Sequence, residues 1–105
     1  MKIDIVVEKK NDADMLRSSL PSGGLSGVRF FASDGRISGA SLSRNLLVKE
    51  GGFVFLLLPS SASKDEFEVS HCLLKNVANP DRFEVMPLDS ERLASRVLEV
   101  SKRGR

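Results

Sequence analysis

Acidic side chains supply most of the chemistry that this sequence could perform. Glu8, Asp12, Asp34, Asp65, Glu66 and Asp89 all stand in polar stretches that follow apolar runs. Carboxylate oxygens are what a hard cation such as magnesium takes, together with several waters. Such an ion can hold a phosphoester and activate water for its cleavage. Each acid also has a structural role open to it. Asp34 precedes Gly35 in a turn signature, Ser33-Asp34-Gly35. Asp65 and Glu66 fall where the first turn of a helix is expected, and the helix dipole favours negative charge there. Asp12 and Asp89 also stand near expected helix starts. Glu8 is the hardest to explain this way, because it directly ends the apolar run IDIVV.

A second set of residues suits anions. From Leu58 to Lys64 the chain reads LPSSASK, with no acid in it. Ser60, Ser61 and Ser63 stand before a helix and could lead its backbone N–H groups to an anion. Lys9, Lys10, Arg36 and Lys64 would add positive charge at the same rim. The same serines also serve as ordinary loop and cap residues. His71 and Cys72 are the single histidine and the single cysteine. They exclude an internal disulfide, and two neighbours fall short of the three or four ligands of a zinc site. Cys72 lies beside Leu73 and Leu74, which predicts a buried, inert thiol.

Other chemistries are excluded by what is missing. The stretch GRISGAS at residues 35–41 has neither the length nor the lysine of a phosphate loop. No Gly-x-Gly-x-x-Gly follows an apolar run, so dinucleotide binding of the usual kind fails. A receiver domain would need an aspartate where Pro59 stands. No serine, cysteine or glycoside hydrolase constellation can be assembled.

The elements that would position these residues are legible in the pattern. Phe53 to Leu58 is six apolar residues in a row, between Gly51-Gly52 and Pro59. A run this short and continuous predicts a strand buried on both faces, in the middle of a parallel sheet. Residues 2–7, 28–31 and 82–86 predict three more strands. Helices are expected between them. The first is capped by Asn11 or Asp12 and runs to about Leu20, with Met15, Leu16 and Leu20 on its apolar face. The second covers residues 38–49, with Leu42 and Leu46 four apart and glycine at its end. The third follows the capping box Ser63-Lys64-Asp65-Glu66 and runs to about Ala78, with His71 well along it from the rim. The last is capped by Asp89 or Ser90 and carries Leu93, Val97 and Val100. Alternation of this kind predicts a three-layer α/β/α sandwich with a four-stranded, mostly parallel sheet. Ligands in such sheets bind beyond the carboxyl ends of the strands. Residues 8–12, 33–35, 59–63 and 87–89 would meet there.

Bulk properties agree with a single α/β domain spanning residues 1–105. The chain has 105 residues, is 41% apolar and 29% charged, and carries a formal charge of +2. A charge this small does not by itself indicate nucleic acid or a membrane. The basic end at residues 101–105 is expected to fray. Lys2 and Asp4 interrupt the first apolar run, so it reads as a strand and not as a signal segment. No stretch approaches a membrane span, and a cytoplasmic setting without membrane contact is expected.

The segment Ile5-Val6-Val7-Glu8-Lys9-Lys10-Asn11-Asp12, followed by Leu16, resembles the opening of a TOPRIM domain. That domain begins with an apolar strand, then Glu-Gly-x-Thr/Ser-Asp and a helix. It occurs in topoisomerases, DnaG-type primases and OLD-family nucleases. Residues 35–38 (GRIS) and 41–47 (SLSRNLL) are similar to the second unit of the OLD-like type, and the similarity continues through residues 83–91. The resemblance implies that Glu8 is the family's acid-base or metal glutamate and that Asp12 matches the aspartate after it. It departs from the family at Lys9, where glycine is usual. A larger departure follows the third strand, where the family's magnesium-binding Asp-x-Asp is replaced by Pro59-Ser60-Ser61. Neutral hydroxyls cannot replace two negative charges around a dication.

The resemblance therefore implies a degenerate TOPRIM-like domain that binds nucleic acid, a nucleotide or a protein partner without the usual catalysis. Because related nucleases carry the domain beside an ATPase, a protein such as an ATPase is an expected partner. No cofactor is expected. The alternative is an active magnesium-dependent nuclease or phosphotransferase with relocated ligands. Glu8, Asp34 and Asp65 would hold the ion, and Glu8 and Asp12 would be catalytic.

Overall fold

The computed structural model describes residues 3–20, 27–32, 52–77 and 82–103. In chain order these form β1 (Ile3–Val7), α1 (Lys10–Ser19), β2 (Val28–Ala32), β3 (Phe53–Leu58), α2 (Lys64–Val77), β4 (Phe83–Pro87) and α3 (Ser90–Arg103). The expected second helix at residues 38–49 lies outside the described residues, as do Asp34 and Arg36.

The apolar run at residues 53–58 became the strand it suggested. Every residue of β3 is buried, and so is every residue of β1. The sheet order is β2-β1-β3-β4, and all three pairings are parallel. β1 and β3 are therefore central, which is why their apolar residues run without polar alternation. Side chains still alternate between faces. Ile3, Ile5, Val7, Phe53, Phe55 and Leu57 share one core with Ala13 and Leu16 of α1 and Leu93, Val97 and Val100 of α3. Val6, Val54, Leu56 and Leu58 share the other with Leu74 of α2 and Phe83. Helices thus cover both faces, which makes the three layers. Full burial of each such leucine or valine is worth about 1.5–3 kcal/mol relative to exposure.

One charge sits inside this apolar frame. Asp4 is fully buried on β1. Its register partner on β2 is Arg29. Arg29 Nε donates to Asp4 Oδ1 at 3.0 Å, and a second guanidinium nitrogen donates to Oδ2 at 3.4 Å. The guanidinium also lies 4.9 Å from the centre of the Phe31 ring. Pairing, hydrogen bonding and stacking together offset the cost of dehydrating the carboxylate.

Three expectations need correction. The cap of α1 is Lys9, which makes no side-chain cap hydrogen bond, and not Asn11 or Asp12. Packing of Ala13 and Leu16 against the sheet sets the start of the helix and overrides cap preference. Met15 is 47% exposed, because the buried stripe of α1 is Ala13 and Leu16, continued by half-buried Leu20. Cys72 is exposed, not buried. Helical spacing turns Ser70 and Leu74 to the core, and Cys72, two residues from each, faces the other way. The basic end at residues 101–105 lies partly in α3, which runs to Arg103, and residues 104–105 lie outside the described residues. Basic residues suit the C-terminal turn of a helix.

Candidate functional site

Parallel pairing brings the carboxyl ends of the strands to one edge. Val7 pairs with Ala32 and Leu58 pairs with Pro87. The Leu88 N–H donates to the Leu58 carbonyl at 2.8 Å, so β3 and β4 stay joined up to the rim. The chain passes from β1 to β2 in one direction across the sheet and from β3 to β4 in the other. The point between β1 and β3 is therefore the topological switch point, where open sheets of this kind bind ligands.

Glu8 stands there. It is the first residue beyond β1 and is half-buried. The ladder pairs Val6 with Leu56, and two further steps along both strands bring Glu8 level with Leu58. Both line a cleft of about 170 Å³, together with Asp65, Glu66, Val69, Ser70 and Leu73 of α2. Side-chain alternation along β1 explains the direction. Val6 packs in the core on the α2 side, and Glu8, two residues on, faces the same way.

The cleft is acidic. Asp65 and Glu66 occupy the exposed first turn of α2, which suits the dipole and gathers negative charge near Glu8. Among the described residues, however, no three His, Cys, Asp or Glu side chains converge closely enough to hold a metal ion. The expected set of Glu8, Asp34 and Asp65 is met by two members at one cleft, and Asp34 lies outside the described residues. The donor set that the described residues provide does not fit a magnesium ion. Asp12 lies in the first turn of α1, and its N–H donates to the Lys9 carbonyl at 3.1 Å. It is not among the described residues that line the cleft. Asp89 has a structural task, its Oδ1 accepting the N–H groups of Glu91 at 3.1 Å and Arg92 at 3.2 Å.

The serines divide in the same way. Pro59 to Ala62 is a tight turn, closed by the Ala62 N–H donating to the Pro59 carbonyl at 2.9 Å. Ser60 and Ser61 are its two exposed central residues. Ser63 caps α2, its Oγ accepting the Glu66 N–H at 3.2 Å. That bond removes one of the amides an anion could have used. Lys64 opens α2 and is exposed, with Asp65 and Glu66 directly after it.

The start of α1 mixes signs, with Glu8 before its cap and Asp12 in its first turn. Lys9 is the cap, Lys10 is the first helical residue, and both are exposed. The two lysines oppose the dipole, Asp12 suits it, and the Lys9 side chain makes no cap hydrogen bond. Arg36, also expected to bind an anion, lies outside the described residues. His71 is far from the rim, with its ring centre 5.0 Å from that of Phe83, at the opposite end of β4.

Sequence reading missed Val69, Ser70 and Leu73 as walls of the cleft. The available signal was a second apolar stripe, Val69 and Leu73 four apart on α2, beside the core stripe ending in Leu74. It also missed the Asp4–Arg29 pair. A lone acid in the middle of an apolar strand was its trace. No described helix is long and apolar enough to cross a membrane. Comparison with protein-family models, curated proteins and solved structures returned no match.

Proposed function

We propose that this chain is a degenerate TOPRIM-like domain that binds a phosphate-bearing ligand, a nucleic acid or nucleotide, without metal-dependent cleavage. The observation that carries this reading is the pairing at the switch point. Glu8 ends β1, while the adjoining end of β3 runs into Pro59-Ser60-Ser61, with no carboxylate before Asp65. Such an end cannot grip a dication that a phosphodiester reaction would need. Phosphate would instead meet Lys9, Lys10 and the amides that open α1, because helix N-termini attract anions and lysines add net charge. Asp65 and Glu66 would repel it from α2.

Binding of a fluorescent single-stranded oligonucleotide across a salt series tests this. Affinity should fall steeply as salt rises. Changing both Lys9→Glu and Lys10→Glu should weaken binding at low salt and lower the salt slope by roughly 1.4, the value for losing two phosphate contacts on a single strand. No binding by the unaltered protein at any salt would remove the proposal.

The shared cleft of Glu8 and Asp65 supports one second reading, an enzyme with relocated metal ligands. Calorimetric titration with manganese, paired with a nuclease assay, separates the two. Saturable binding and cleavage, both lost in Glu8→Gln, would favour the enzyme.

A further inference from the structure

No further inference is drawn: the strongest candidate, the acid-flanked apolar groove on the outer face of α2 lined by Asp65, Glu68, Val69, Cys72 and Leu73, is an exposed helix face, and nothing in the structure shows what covers it.

Discussion

Two helices begin at the switch point, and they begin differently. α2 starts with a serine cap and two acids in its first turn, as helix physics prefers. α1 starts with two lysines, no cap hydrogen bond from the Lys9 side chain, and one acid, Asp12, in its first turn. α3, further along the same edge, follows the pattern of α2, with Asp89 accepting two amides. The rule is kept in full at two starts and only in part at the third. The start of α2 serves stability. The start of α1 instead carries two lysines where the dipole disfavours them.

The comparison can be broken or sharpened by substitution. The largest stability effect should lie in β1, the strand that leads into α1. Asp4→Ala leaves Arg29 without its buried partner and should lower unfolding free energy by about 3 kcal/mol, the low end for a broken buried pair because half of the Arg29 side chain reaches water. Urea denaturation measures it, and a loss below that of a cap substitution would show that the pair stabilises little.

Asp89→Ala should cost about 1–2 kcal/mol, since it removes the one oxygen that accepts two amide N–H groups and a favourable charge. Ser63→Ala should cost about 1 kcal/mol, since it removes one neutral acceptor. The order of these two midpoints tests the assignment of both caps. Smallest, and opposite in sign, is Lys9→Asp. It supplies α1 with the missing cap and should raise stability by about 0.5–1 kcal/mol while weakening oligonucleotide binding. Loss of stability in Lys9→Asp would mean that the lysine already serves the fold, and the contrast between the helix starts would fail.

The central strands were legible because burial on both faces writes a continuous apolar run, as in Phe53–Leu58. The caps at Ser63 and Asp89 were legible for a similar reason, since a short polar side chain at a helix start has few other uses. Met15 and Cys72 were misread because apolar side chains occupy both faces of α1 and α2, and only packing decides which one turns inward. The cap of α1 was misread because tertiary contacts of Ala13 and Leu16 outweigh a preference worth about 1 kcal/mol. Of the site, the rim and the place of Glu8 on it followed from parallel pairing alone. The cleft did not, because Val69 and Leu73 reach it from a helix whose sequence gives no sign of the sheet edge beside it.

The most direct measurement is an oligonucleotide titration at low salt, run once in EDTA and once in manganese. A rim that holds phosphate through lysines and helix amides binds in EDTA, binds no more tightly in manganese, and leaves the strand uncut. Binding absent in EDTA and restored by manganese would contradict this account and return the site to metal chemistry.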